Sequence, residues 1–157
     1  MPKFTLVSTR FNDETWFENM EWRFKNNWLG CIYGTPFPVK ENIPHNEIMF
    51  VLEMNNDKNK IMGIGIIHNK LVCDKKYNIY KDRFYCKYTY KSKYRIDRVD
   101  MSEKEKNVLR ILDILVFKGA THLKRGRGII QVPDALIKRG KIDFYFHLQN
   151  MFNRHFR

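Results

Sequence analysis

The chain has 157 residues and a formal net charge of +12, with 29 Lys and Arg against 17 Asp and Glu. That length suffices to bury a single core without staples. The absence of any apolar run of spanning length and of an amino-terminal signal pattern argues against a membrane span or an exported chain, so an intracellular protein is expected.

In chain order, Lys3–Val7 reads as a short first strand. Asn12 or Asp13 then caps a helix running to about Asn27, with Asp13 and Glu14 close to its positive end. Trp16, Met20 and Phe24 recur every four residues and are expected to form its buried stripe, flanked by Phe17 and Trp28. Gly30, Gly34, Pro36 and Pro38 mark irregular chain, where aromatic side chains can stand exposed. Glu47–Met54 and Lys60–His68 are apolar runs joined by the polar turn Asn55–Asn59, which predicts a β-hairpin of well-covered strands. Gly63 and Gly65 alternate in its second strand and leave room on one face for another element or a ligand.

Asp82–Arg98 is expected to be a second strand pair turning around Lys91-Ser92-Lys93, with Phe84, Cys86, Tyr88 and Tyr90 on one face. Ser102-x-x-Glu105 is a capping box that opens a helix ending near Phe117, with Gly119 beyond it. After a basic loop, Ile129–Val132 reads as a short strand, and Pro133 opens a short helix over Asp134–Lys138. Phe144–Phe156 suits a final helix, with Arg154 and Arg157 near its negative end. The expected architecture is one α+β domain over 1–157 around a curved, mostly antiparallel sheet, with a basic helical extension from about residue 138. Cys31, Cys73 and Cys86 are odd in number, lack CxxC spacing and read as buried free thiols; a zinc site with His68 is the weaker alternative.

The charge is concentrated. Residues 1–60 hold seven Lys or Arg and eight Asp or Glu, whereas residues 61–157 hold twenty-two against nine, a net of +13. The sharpest concentration is His122-Leu123-Lys124-Arg125-Gly126-Arg127-Gly128-Ile129, three cations and two glycines without an acid. Glycines let backbone approach a partner closely, and Lys and Arg suit phosphate oxygens. Nucleic acid is the polyanion this favours, through counterion release; an anionic membrane surface is the competitor. From Tyr77 to Tyr94 tyrosines and lysines interleave, as in a surface that stacks bases and tracks phosphates. Lys87, Lys91, Lys93, Arg95 and Arg98 would add phosphate contacts to those of Lys124, Arg125 and Arg127. The bland reading of the same segments is a pair of apolar strand faces with solvated cations outside.

Three pieces of the chain, in order, resemble the YTH and EVE branch of the PUA-like fold. The hairpin Ile48–Asn55 leading to Met62-Gly63-Ile64-Gly65-Ile66 is similar to that family's strand pair, in which an apolar strand ends near Asn and the next is Gly-rich. Tyr80-Lys81-Asp82-Arg83-Phe84 resembles its W-K-G-R-F segment. Lys124–Pro133 resembles its late S-R-D-x-Q-E-V-P segment, an Arg loop leading into a strand and a helix. The resemblance implies a barrel-like sheet flanked by helices that recognises RNA or DNA by extruding a base, often a modified one such as N6-methyladenine, into an aromatic cage. On this likeness Tyr80 takes the position of a cage Trp, Trp28 lies near another, and Asn55 sits near the pocket, while Arg125 and Arg127 grip phosphates; Tyr77, which opens the tyrosine–lysine interleaving, is a further candidate to bind the base. The helix opened by Ser102 has no counterpart in the family core, and Trp28-Leu29-Gly30-Cys31 departs from its pattern.

Other classes remain open on the residues. Glu53, Asp97, Asp100 and Glu103 are candidates to hold Mg²⁺ for phosphodiester cleavage, balanced by Lys124 or Arg125. His122 is a candidate proton donor, or simply a hydrogen-bonded loop histidine. No Walker loop, HExxH, GxSxG or deaminase pattern occurs, and no cofactor is expected. A non-selective nucleic-acid coat would need the charge but no pocket. Richness in Lys, Asn, Ile and Tyr suggests an AT-rich genome, such as that of a large DNA virus.

Overall fold

The structure, a computed structural model, describes residues 4–157; Lys3 of the expected first strand lies outside them. Strands β1 (Phe4–Phe11), β3 (Ile48–Asn55), β4 (Lys60–His68), β6 (Tyr94–Asp97) and β7 (Ile130–Gln131) form a sheet of order β6-β4-β3-β1-β7. Strands β2 (Cys31–Thr35) and β5 (Tyr88–Ser92) pair antiparallel as a second, small sheet. Helix α1 (Asp13–Lys25) connects β1 to β2, α2 (Glu103–Phe117) follows β6, and α3 (Asp134–Arg139) and α4 (Phe144–His155) follow β7. β1 runs parallel to β3 while the other pairs are antiparallel, so the sheet is mixed. Among the described residues it does not close into a barrel.

The main sheet is covered on both faces, which explains why β3 is apolar at nearly every position rather than alternately. Leu6, Phe50, Leu52, Ile64 and Ile96 point into one core with α2, α3 and α4. Val7, Met49, Val51 and Ile67 point into a second core with Trp16 of α1 and Ile32 and Tyr33 of β2. The helical stripes fit the first core: Val108, Leu109, Leu112 and Val116 on α2, and Phe144, Leu148, Met151 and Phe152 on α4, are buried. The segment from residue 138 onward is therefore part of that core rather than an appendage to it.

The hairpin β3–β4 and the capping box of α2, in which Ser102 Oγ accepts from Glu105 N–H and Glu105 reaches back to Ser102 N–H, form as expected. Three expectations are corrected. Asp82–Arg98 is not a strand pair: Arg83–Cys86 is a short 3₁₀ turn, and β5 and β6 belong to different sheets. The chain changes sheet at Ser92, whose Oγ binds Ile66 O and accepts from Tyr94 N–H, while Gly30 packs without space for a Cβ against the Ser92-Lys93 backbone. Helix α1 does not bury Met20 and Phe24, which are 44% and 84% exposed, nor Phe17. It buries Trp16, as expected, together with Asn19, because Asn19 Nδ2 donates to Ile32 O (2.7 Å) and to the Tyr80 hydroxyl (3.0 Å), tying that face to β2. The segment holding Gly30 and Gly34 is largely strand β2, with Tyr85 O and the Tyr80 ring against Gly34.

The space at Gly63 and Gly65 is filled from within. Tyr33 and Cys31 cover Gly65, and the Glu53–Arg95 pair covers Gly63. Of the cysteines, Cys31 and Cys86 are buried thiols as expected, and Cys73 is exposed in the loop after β4. Among the described residues, no three His, Cys, Asp or Glu side chains gather into a metal-ligating group, so Cys31, Cys73, Cys86 and His68 do not converge.

Candidate nucleic-acid interface

β7 pairs with β1 only at Val7 and Ser8, so the last residues of β1 have a free edge, and the basic loop crosses there. The result is a cleft of about 490 Å³ between the end of β1, the first turns of α1, the β3–β4 turn, Tyr80–Asp82 and the loop Lys124–Gly128. Its volume falls in the range of small-molecule sites, roughly 300–1,000 Å³.

Arg10 organises one wall. Its Nη1 donates to Ser8 Oγ (3.0 Å) and its Nη2 to Gly128 O, while its Nε has no partner. No carboxylate pairs with it, and burial alone pulls its pKa down to about 10. This side chain also bears on the two loop glycines. A Cβ on Gly126 would overlap Ile130 Cδ1 and stand 2.9 Å from Arg10 Cζ and 3.0 Å from Nη1. Gly128 takes a φ of +73°, the left-handed region glycine tolerates, and its carbonyl is the one that meets Arg10. The loop is pinned from the other side by Asn56, whose Nδ2 donates to Lys124 O (2.9 Å). Lys124 N–H donates to His122 Nδ1 (3.2 Å), which makes His122 a hydrogen-bonded loop histidine.

Opposite stand Tyr80 and Tyr85. Burial raises the Tyr80 phenol above its ordinary range, its hydroxyl is engaged by Asn19, and the residue lines the cleft while only 7% exposed. Acids also line the space. Glu18 accepts from Lys81 N–H (2.6 Å), Asp82 caps the 3₁₀ turn through Phe84 N–H (3.0 Å), and Glu14 lies in the first turn of α1. Beside Tyr85, Phe84 and Phe37 form an edge-to-face aromatic group, with Phe37 51% and Phe84 36% exposed. Phe37 O lies 3.9 Å from where a Gly128 Cβ would be, so this aromatic shoulder adjoins the basic loop. Lys87 Nζ sits 4.8 Å over the Phe84 ring.

Of the residues expected to bind a base, only Tyr80 lines the cleft. Trp28 donates its indole N–H to Cys31 O (3.0 Å) and lies under Lys91 Nζ at 4.5 Å. Tyr77 is buried, donates to Asp74 Oδ1 (2.8 Å) and accepts from Lys91 Nζ (3.1 Å). These three form a separate cluster, so the Trp28–Tyr80 cage is not assembled. Asn55 is fully buried. Its Oδ1 accepts from Asp57 and Lys58 N–H, and its Nδ2 donates to Asp13, so it shapes the turn while Asn56 reaches the cleft.

The expected phosphate ligands also divide. Lys124 and Arg127 line the cleft, and Arg125 is exposed on the same loop. Lys87 and Lys93 are exposed, the latter over the Tyr94 ring. Arg95 and Arg98 are corrected, because β6 docks beside β4 and turns them inward. Arg95 is bound by Glu53 (2.7 Å) and Asp97 (3.1 Å). Arg98 pairs with Asp113 (2.9 Å) and donates to Ile61 O (2.9 Å). Three of the four carboxylates considered for Mg²⁺ are engaged in pairs: Glu53 is buried against Arg95 and Tyr33, Asp97 holds Arg95 and caps Val99 N–H, and Glu103 pairs with Arg110, while Asp100 is exposed.

Arg10, Asn56, Phe37 and Tyr85 were not distinguishable in the sequence as site residues. The one signal was Phe37 between Pro36 and Pro38, where exposed aromatics were expected. No protein-family model, curated protein or solved structure matches this chain. No helix among the described residues is long and apolar enough to cross a membrane.

Proposed function

We propose that this protein is a non-enzymatic binder of single-stranded or locally opened nucleic acid. Phosphates lie along Lys124, Arg125 and Arg127, and one base enters the cleft beside Tyr80 while neighbours stack on Phe37, Phe84 and Tyr85. One observation carries the reading: the acid-free basic loop forms the rim of a cleft whose wall holds Arg10, a partly buried guanidinium that, among the described residues, has no carboxylate partner. A cation drawn partly out of water without a counter-charge favours an anionic ligand nearby. Exposed aromatics next to cations are the usual platform for single strands. The resemblance to YTH and EVE domains points the same way, and the PUA-like assignment and the taste for a modified base belong to this proposal.

The test is fluorescence anisotropy with matched single- and double-stranded RNA and DNA, unmodified and containing N6-methyladenine, over a salt series. Binding that weakens as salt rises, favours single strands and is reduced in Phe37→Ala supports the reading. Binding set by length alone, indifferent to strandedness and to Phe37, identifies a non-selective coat instead. Cleavage dependent on Mg²⁺ and abolished by Asp97→Asn would establish a nuclease.

A further inference from the structure

Helix α1 carries apolar side chains on its solvent side as well as its buried side. Trp16 and Asn19 turn inward, whereas Phe17, Met20 and Phe24 recur at i, i+3 and i+7 and stand in solvent as a second stripe. Phe17 is 61% exposed. Leu29, 92% exposed, continues the apolar surface just past the helix end, where Trp28 N–H folds back to Arg23 O (2.8 Å). Exposed apolar residues scattered singly need no explanation, but a group within one helix and its closing turn marks an interaction surface. At roughly 200 Å² for each large side chain, these four leave about 550 Å² in solvent, against about 800 Å² per partner in a standard protein–protein interface.

The charges around the stripe decide what covers it. Asp13, Glu14, Glu18 and Glu21 outnumber Arg23 and Lys25 on α1, so this helix is net negative in a chain of net charge +12. Such a face disfavours nucleic acid and an anionic membrane and favours a basic protein. The signs are also segregated along the helix, because all four acids precede Arg23 and Lys25. Further cations gather at the basic end: Lys91 Nζ lies 4.5 Å over the Trp28 ring, and Gly30 packs against the Ser92-Lys93 backbone. Acids at one end, apolar side chains between and cations at the other make a surface complementary to its own reverse. A second copy turned about a two-fold axis lays stripe on stripe and sets Glu14 of each copy near Lys25 of the other. The two helix dipoles then run antiparallel, which adds to the attraction.

We infer that two copies of this chain pair through the exposed stripe of α1, antiparallel about a two-fold axis near Met20. The apolar area is small for a permanent dimer, so pairing is reversible and depends on concentration. Pairing does not depend on whether the chain binds nucleic acid. The first turns of α1 also line the cleft, so a pair carries two clefts in one particle.

Sedimentation velocity on the full chain, freed of nucleic acid, should show a monomer converting reversibly to a dimer as concentration rises. Phe17→Ser with Phe24→Ser should give a monomer at every concentration with no fall in melting temperature, because both rings stand in solvent. Glu14→Lys should weaken the dimer several-fold, and adding Lys25→Glu should recover it, a reciprocity that only pairing with a reversed copy produces. A cross-link reads the geometry separately. In a Cys73→Ser background, which removes the exposed native thiol, Met20→Cys should give a disulfide-linked dimer on mild oxidation, whereas Ile114→Cys on the exposed side of α2 should not. A monomer at all concentrations, with no more cross-linking at Met20→Cys than at Ile114→Cys, would overturn the inference. A dimer that survives Phe17→Ser with Phe24→Ser would overturn the assignment to this face. A monomer that sediments with phosphatidylserine vesicles, or binds oligonucleotides, through Phe17 and Phe24 would overturn it in favour of a lipid or nucleic-acid surface.

Discussion

Arg10 is a partly buried cation that, among the described residues, pairs with no carboxylate; its partners are a serine hydroxyl and a glycine carbonyl. Replacing an imperfectly answered charge by an apolar side chain of similar length is often neutral or stabilising. Arg10→Met should therefore leave the melting temperature unchanged or higher while weakening nucleic-acid binding. Differential scanning fluorimetry and anisotropy on the same sample check both halves, and a large fall in stability would contradict the assignment. Gly126→Ala tests the contact from the loop side. The added Cβ meets Ile130 Cδ1 and the far end of Arg10, both side-chain ends rather than backbone, so the cost in stability should be small, about 1 kcal/mol or less. The guanidinium must shift, so affinity should fall several-fold.

Among the elements, β6 and its partners show how charge is used for construction. Arg95 and Glu53 have side chains 5% and 2% exposed, at the centre of the sheet's second face. Removing one member of such a pair leaves an uncompensated buried charge, and Glu53→Leu should cost about 3–5 kcal/mol in urea unfolding. At the α2–α4 contact, burial by itself would raise the Glu105 carboxyl, but hydrogen bonds from Arg154, Ser102 N–H and His155 hold it down at about 2. A carboxyl depressed in the folded state stabilises above its unfolded pKa and loses that contribution as pH falls through its folded pKa. The Glu105 contribution should be full above the ordinary glutamate value of 4.5 and gone near pH 2. Arg154 is half exposed, so the contribution is screened to about 1 kcal/mol. Urea unfolding of Glu105→Gln should show that deficit at pH 7 and a shrinking one toward pH 3.

For the molecule as a whole, the net charge of +12 is distributed by the fold into structural and available parts. Arg95 and Arg98 are spent inside, whereas Arg125 and Arg127 stand exposed on the basic loop. Arg125→Ala with Arg127→Ala should lower affinity for all sequences alike and reduce the slope of log affinity against log salt by up to about 2. Unchanged slopes would remove the loop from the interface.

What the chain order made legible was local. The β3–β4 hairpin, the capped helices α1, α2 and α4, and the basic glycine loop each depend on neighbours within a few residues, where periodicity, caps and turn residues act directly. The site was legible only at its rim, in Lys124, Arg125, Arg127 and Tyr80. Its inner wall depends on contacts made across long separations: Arg10 meets Gly128 and Asn56 meets Lys124. A lone arginine in a strand and one asparagine of a turn carry no local mark of such partners, which is why Asn55 rather than Asn56 stood out. The same limit applies to faces and pairing. Local spacing nominated Met20 and Phe24 for the core of α1, but the hydrogen bonds of Asn19 to β2 and Tyr80 orient the helix otherwise. Asp82–Arg98 reads as one strand pair until Ser92 and Gly30 turn the chain from one sheet to another. Sequence alone determined the helices, the β3–β4 hairpin and the positive charge, because short-range sterics and composition decide those. The tertiary structure decided which charges are free, which aromatic rings face outward and where a cleft opens, because each depends on what distant segments bring against it.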